Sequence, residues 1–449
     1  MTSKTLLTDL YQLTMMAAYV DNQKDDDATF DLFIRKLPQD WGYFIANGIE
    51  DAIEYAANIH FTDEDREYLR SIRLFSDDFI EWLKEFRFQG DIYAVPEGTP
   101  VTANTPLLRV TGKRTQAQFL ESALLNIINF QTMIATKANR VVLAAGDAKV
   151  VDFGLRRAQE EDAAMKGARA AYIAGAVATS NVKAGKEYGI PVNGTHAHSF
   201  VMSFPTELEA FRAYVKTFPH NATLLIDTYD VMQGANNAVM VAKELAARGQ
   251  RLGGVRLDSG DLAADSQAIR ALFDREGLSD VKILASNDLN EYKIAELRKK
   301  SACIDGYGVG TDMITAKPIA AIAGVYKLVE DGDGSKIKLS AEKQTFPGKK
   351  QVHRVRDADG RCLYDILALE GEAVAGEPLL QRVVKDGKRV LPRQSLPEIK
   401  KYALASVEKM PAPTKELQAT PYELRISPGL ERLVTDLKEK YQRGENHDS

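Results

Sequence analysis

Cysteine is nearly absent. Cys303 and Cys362 are the two in 449 residues, and with no second cysteine beside either, neither a disulfide framework nor a cysteine zinc site is indicated. An excess of one charge is missing too. With 58 basic against 63 acidic side chains the formal net charge is −5, which gives no broad electrostatic footprint for nucleic acid or an anionic membrane. Any anionic ligand must therefore be met by specific residues. No run of 18 apolar residues occurs, and Met1-Thr2-Ser3-Lys4 leads into a segment broken by Asp9 and Gln12, not into an apolar signal core. The expectation is a cytoplasmic protein. The Gly-x-Gly-x-x-Gly fingerprint of dinucleotide folds is also absent, which weakens the case for an open doubly wound sheet.

What is present is an ordinary globular composition, 45% hydrophobic, long enough at about 100–200 residues per domain for two or three domains. Thr8 to Val20 reads as a helix, with Tyr11, Met15 and Ala18 at helical spacing. Asp25-Asp26-Asp27 reads as a solvated turn and residues 28–36 as a strand. Helices are expected near 49–59 and 77–87, then short β-rich pieces between Gly90 and Gly112 punctuated by Pro96, Gly98, Pro100 and Pro106. This makes an N-terminal α+β domain, 1–114. A long amphipathic segment from about Gln116 to Ala144 leads into a second domain, 115–335. Beyond it, 336–449 carries a β-like, basic stretch and helices near 397–409 and 428–442, ending in a frayed tail from Gly444.

In the middle domain short apolar runs alternate with helical patterns. The candidate strands are Lys149–Asp152, Ala174–Ala178, Ile190–Val192, Thr223–Ile226, Gly254–Leu257, Lys282–Ala285, Gly306–Val309 and Gly324–Leu328. Such βα alternation implies a parallel sheet, and about eight units imply a closed or nearly closed barrel. Nearly every strand is followed by polar, glycine-containing sequence. The densest example is Gly194-Thr195-His196-Ala197-His198-Ser199-Phe200, with two imidazoles and two hydroxyls in seven positions. Barrel enzymes assemble their sites from such loops, so these groups are expected to converge.

Read singly, each group has a structural alternative. Tyr11 and Phe153 suit core packing; Asp258 and Asp261 suit helix N-caps, as do Thr195 and Asn287. Gly308 and Gly310 suit a tight turn, and Arg156 and Arg256 suit structural ion pairs. His196-x-His198 with Asp227 and Asp258 also permits a metal-dependent hydrolase, which predicts tightly bound zinc or a similar metal.

Together, in order, the motifs resemble the nicotinate phosphoribosyltransferase family. The matching pieces are Leu6-Leu7-Thr8-Asp9-Leu10-Tyr11-Gln12 with Thr14-Met15, Asp152-Phe153-Gly154-x-Arg156-Arg157, Gly194-Thr195-x-Ala197-His198-Ser199, Arg256-Leu257-Asp258-Ser259-Gly260-Asp261, Ser286-Asn287-Asp288 and Gly308-Val309-Gly310-Thr311. A weaker continuation follows at Lys338-x-Ser340-x-x-Lys343 and Pro347-Gly348-x-Lys350. The resemblance implies an irregular α/β barrel of the type II phosphoribosyltransferase kind, beside an N-terminal α+β domain that the C-terminal segment rejoins. It implies a homodimer with composite sites and a reaction of nicotinate with phosphoribosyl pyrophosphate, driven by ATP with magnesium.

By the same resemblance, Phe153 and Tyr11 of a second subunit flank the nicotinate ring. Arg256 meets its carboxylate, Thr195 adds a hydroxyl, and Arg156 holds phosphate or pyrophosphate oxygens. Asp258 and Asp261 hold ribose hydroxyls or magnesium, and both roles stay open. Gly310 and Thr311, with Ser286 and Asn287, cradle the 5′-phosphate. His198 matches the histidine that ATP phosphorylates, while His196 stands where the family pattern is variable. Two relatives of that reading remain, a nicotinamide-using enzyme and a binding homologue without turnover.

Overall fold

The alternation Phe30, Leu32, Ile34 does form a strand, Asp27–Ile34, and every residue of it after Asp27 is buried. A strand buried on both faces must satisfy any polar group it carries. Asp31, fully buried, does so by an ion pair with Lys350 Nζ at 2.9 Å, and Phe30 stacks on Tyr326 with ring centroids 5.0 Å apart. The computed structural model describes residues 4–220, 222–339 and 345–442 and divides into two compact units. One comprises Met1–Met133 with Ala321–Ser449, the other Ile134–Ala320.

In the first unit Asp27–Ile34 is central to a seven-stranded sheet. Pro106–Lys113 and Gly324–Asp331 pair with it antiparallel on either side, and Asp91–Ala94 and Gln381–Lys385 extend it. The C-terminal segment thus rejoins the N-terminal sheet. A four-stranded sheet carries Lys350–Arg356 and Cys362–Leu369. Gly324–Leu328, read from sequence as an eighth barrel strand, belongs instead to the first sheet. The buried residues of Gly324–Asp331 are Tyr326 and Val329, with half-buried residues between and around them, and its register against Asp27–Ile34 shifts at Thr29/Phe30. The Asp25-Asp26-Asp27 turn is also less solvated than expected. Arg114 donates to Asp26 at 2.7 Å, holding that carboxyl at about 2 against the opposing effect of its own burial, and Asp25 accepts from the Thr115 N–H. Helices form at Leu10–Asp21, Ile49–Asn58, Leu396–Glu408 and Pro428–Gln442, with an unexpected one at Asp63–Ser71 closed by a Thr62–Asp65 capping box. Ser340, Lys343 and the tail from Gly444 lie outside the described residues.

The second unit is the α/β half-barrel. Six parallel strands run in the order Ala178–Thr179, Lys149–Asp152, Gly306–Val309, Lys282–Ala285, Gly254–Leu257, Thr223–Leu225. The expected Ile190–Val192 strand reduces to a single bridge between Thr179 and Val192, and Ala174–Ala178 is mostly the turn leading into its strand. Val150, Val151, Leu224, Leu225, Val255, Leu257, Ile283, Ala285 and Val309 are buried, which fixes the sheet between its helices. Much of the polar sequence after the strands has a local structural cause. Asn181, Thr206, Asp230, Asp261 and Asn290 are N-caps whose side chains accept backbone N–H groups of the helices they open. The side chains left over are the ones that make a site.

Candidate active site

Those side chains meet at the C-terminal ends of the parallel strands. Arg256, from Gly254–Leu257, is the hub. Its Nε donates to Thr195 Oγ1 at 3.1 Å, Nη2 to the His196 carbonyl at 2.8 Å, and Nη1 to Ser286 Oγ at 3.1 Å and more weakly to Asp258 Oδ1 at 3.4 Å. One guanidinium thereby ties three loops together. Burial lowers its pKa, partly offset by the Asp258 and Asp227 charges and reinforced by Arg156; it stays a cation, as arginines do in proteins. Ser286 Oγ closes the ring with a very short hydrogen bond to Asp258.

Asp258 is also one of two carboxylates facing His198. The His198 Nε2 lies 3.8 Å from Asp258 Oδ2 and 3.9 Å from Asp227 Oδ1. Its Nδ1 is 3.1 Å from Thr228 Oγ1, and its ring is 39% exposed. Asp227 is fully buried. Its Oδ2 accepts from the Asp258 N–H at 2.7 Å and from Ser259 Oγ at 2.6 Å. Its Oδ1, the atom facing His198, has no hydrogen-bond partner among the described residues.

His196 is a different kind of residue. It packs against Tyr214, Phe200 and Phe211, and its Nε2 accepts the Leu225 N–H at 3.2 Å. Desolvation pushes its pKa down to about 4, so the ring is neutral at pH 7. With one nitrogen committed to the backbone and the ring inside an aromatic cluster, His196 cannot pair with His198 as a metal ligand. This overturns the hydrolase arrangement. Among the described residues no group of three or more His, Cys, Asp or Glu side chains is placed to hold a metal ion by itself.

The remaining sequence candidates fall on neighbouring loops. Phe153 follows Lys149–Asp152 and packs on Gly308, where a Cβ would stand 2.4 Å from its ring. Its turn is held by the buried Asp152, which accepts from Gly154 N–H and Thr179 Oγ1 and whose carboxyl burial raises. Arg156 lies exposed in the short 3-10 turn Leu155–Arg157, with no ion pair among the described residues. Gly310 and Thr311 open the Thr311–Ile314 helix after Gly306–Val309. Ser286 and Asn287 end the adjacent strand, with Asn287 at φ 91°. Tyr11 lies in the other unit, on the helix Leu10–Asp21, 47% exposed beside exposed Leu7 and Leu10. It is not a core aromatic.

Asp261 shows the expected alternative at work. Its Oδ1 accepts from Ala263 and Ala264 N–H and caps Leu262–Arg275. Burial raises the carboxyl of the neighbouring Asp265, and the charges of Asp261, Asp227 and Asp230 add to that rise. Replacing Asp261 by Ala is expected to cost about 1 kcal/mol of stability through the lost cap. Asp261→Ser keeps the cap and removes the charge, so thermal melts beside turnover separate the two roles. A Ser variant with wild-type stability and full turnover would leave Asp261 as a cap alone.

Sequence reasoning missed Thr228, the partner of His198, and saw Asp227 only as a metal ligand. The available signal was position, since both end the Thr223–Leu225 strand as the other site residues end theirs.

Comparison with known proteins covers nearly the whole chain. Residues 6–129 match the family model described as the nicotinate phosphoribosyltransferase N-terminal domain, 148–321 the nicotinate phosphoribosyltransferase family, and 374–434 the nicotinate phosphoribosyltransferase C-terminal domain. A nicotinate phosphoribosyltransferase of Mycobacterium tuberculosis is 40% identical over 435 residues, 96% of this chain and 93% of that protein. One of Bacillus subtilis is 45% identical over 388 residues, 84% of this chain and 79% of its own. The crystal structure of human nicotinic acid phosphoribosyltransferase superposes with a TM-score of 0.86 at 30% identity, covering 96% of this chain and 99% of that one.

Proposed function

The chain belongs to the nicotinate phosphoribosyltransferase family and is an enzyme of that type, and from this premise we propose an ATP-driven reaction with a phosphohistidine at His198, serving NAD salvage. In the synthetic step the pyridine nitrogen of nicotinate gives its electron pair to the anomeric carbon of phosphoribosyl pyrophosphate. The bond from that carbon to the pyrophosphate oxygen breaks, and nicotinate mononucleotide and pyrophosphate leave. Such a step needs an aligned nucleophile and stabilisation of the departing anion.

The residues present suit those tasks. Arg256 is a mostly buried cation with one Nη2 hydrogen left over from its protein contacts, and it takes the nicotinate carboxylate beside Thr195. Phe153, packed on Gly308, offers an aromatic face to the ring, and the exposed Tyr11 of a second subunit supplies the other in a homodimer. Arg156 meets phosphate or pyrophosphate oxygens. Gly310 and Thr311, with Ser286 and Asn287, form the 5′-phosphate cradle. Asp258 and Asp261 would hold magnesium, the hard cation that carboxylate oxygens suit. When bound, it neutralises charge on the leaving group. The same two carboxylates alternatively hold the ribose hydroxyls.

His198 takes the γ-phosphoryl group of ATP: an N–P bond forms, the bond to the β-phosphate oxygen breaks, and ADP leaves. One observation carries the coupling. Asp258 lies against both His198 and Arg256, so charge placed on the imidazole acts directly on the carboxylate that helps hold the base-binding cation. The test is a product assay with purified protein, magnesium and phosphoribosyl pyrophosphate, offering nicotinate or nicotinamide with and without ATP and following mononucleotide by mass. Nicotinate mononucleotide that rises with ATP is the expected result. Product from nicotinamide alone would move the protein to the amide-using reaction, and no product with either base would remove the reading.

A further inference from the structure

The two loops assigned above to the 5′-phosphate leave neighbouring parallel strands, Lys282–Ala285 and Gly306–Val309. Asn287 and Asp288 have φ values of 91° and 44°, where residues other than glycine are uncommon. Such backbone persists when its surroundings over-determine it.

The Ser286 end is held by Arg256 and Asp258. The other end is held by Asn290, whose side chain does two things at once. Its Oδ1 accepts the Tyr292 and Lys293 N–H groups at 3.1 and 2.9 Å, capping the Glu291–Lys299 helix. Its Nδ2 donates to Asp312 Oδ2 at 2.9 Å, and Asp312 is the residue after Thr311 in the second loop. The next residue, Glu291, is buried and ion-paired to Lys137 at 2.5 Å and Arg140 at 3.4 Å, so the start of that helix is anchored. Lys293 Nζ donates to the Asp288 carbonyl at 2.8 Å, which ties the positive-φ pair to the same helix. Asp312 is mostly buried, with Lys317 Nζ 3.8 Å away.

We propose that Asn290 is a positioning residue for the phosphoribosyl substrate: its amide fixes the Ser286-Asn287-Asp288 loop against the Gly310-Thr311-Asp312 turn and so sets the spacing of the two halves of the phosphate cradle. This rests on the reading of those loops as the cradle. The residue type follows from the two duties. An aspartate at 290 caps equally well but turns two acceptors of like charge toward each other, and serine or threonine caps without reaching Asp312. An amide presents acceptor and donor on one short side chain.

The test exchanges the pair. Asn290→Asp keeps the cap and is expected to raise the KM for phosphoribosyl pyrophosphate about tenfold, with the KM for nicotinate and the melting temperature nearly unchanged. Adding Asp312→Asn restores a donor to face the new carboxylate, and the double variant is expected within about twofold of wild type. Asp312→Ala, which removes the acceptor and touches no cap, raises the same constant and serves if Asn290→Asp folds poorly. A double variant no better than Asn290→Asp, a wild-type KM in Asp312→Ala, or equal rises for both substrates with a lowered melting temperature would each overturn the proposal. Wild-type protein assayed in parallel separates this from failure of the functional reading, since that failure shows as no mononucleotide from the unaltered enzyme.

Discussion

His198→Ala is expected to lose ATP hydrolysis by at least about three orders of magnitude, because removing a nucleophile leaves only background reaction. Synthesis of nicotinate mononucleotide should persist at a reduced rate that ATP no longer raises, since the Arg256 hub and the phosphate loops do not depend on the imidazole. His196 provides the contrast. Its ring accepts a backbone N–H and packs among Tyr214, Phe200 and Phe211, so His196→Gln should lower stability while ATP-dependent phosphorylation survives. Parallel assays of ADP release and mononucleotide formation check both. Undiminished ATP hydrolysis in His198→Ala would place the phosphoryl acceptor elsewhere.

Arg256→Ala is expected to weaken nicotinate binding on the order of a hundredfold, given that truncating one member of a buried charge pair costs about 2–5 kcal/mol. The loss has two sources. The nicotinate carboxylate loses its cation, and Thr195, Ser286 and the His196 carbonyl lose the donor that draws their loops together. Arg256→Lys separates them, because an ammonium keeps the charge but carries its donors on one nitrogen and cannot span the three loops that the planar guanidinium reaches from Nε, Nη1 and Nη2. Binding titrations should show the alanine variant losing nicotinate far more than phosphoribosyl pyrophosphate. Equal losses for both ligands would mean that Arg256 serves the phosphates.

Much of the fold was legible because parallel strands buried on both faces read as short apolar runs. Lys149–Asp152, Gly254–Leu257, Lys282–Ala285 and Gly306–Val309 fall where those runs predict. Gly324–Asp331 was misplaced for a physical reason: local periodicity reports that a segment is a strand, while its partner, Asp27–Ile34, lies almost three hundred residues earlier. The Asp25–Asp27 turn failed likewise, since its partner Arg114 is 88 residues away. In the site, residue type and strand-end position marked Arg256, Asp258, Ser286 and His198, which the fold brings into one cluster. The difference between the two histidines was not visible in His-x-His. It arises from burial, which sends one ring into an aromatic cluster and leaves the other at the mouth. Thr228 and Asn290 were passed over because hydroxyls and amides after strands are ordinarily caps, and only the three-dimensional partner shows the second duty.

The central claim is that ATP phosphorylates His198 and that its charge acts on the adjoining carboxylates and cation. The most direct measurement is to incubate the purified enzyme with magnesium and ATP labelled at the γ-phosphate, digest it under alkaline conditions, and map the labelled peptide. The account predicts one acid-labile phosphoryl group on His198, discharged when nicotinate and phosphoribosyl pyrophosphate are added together. Label on His196 or on a hydroxyl, or ATP-stimulated synthesis with no labelled protein, would contradict it.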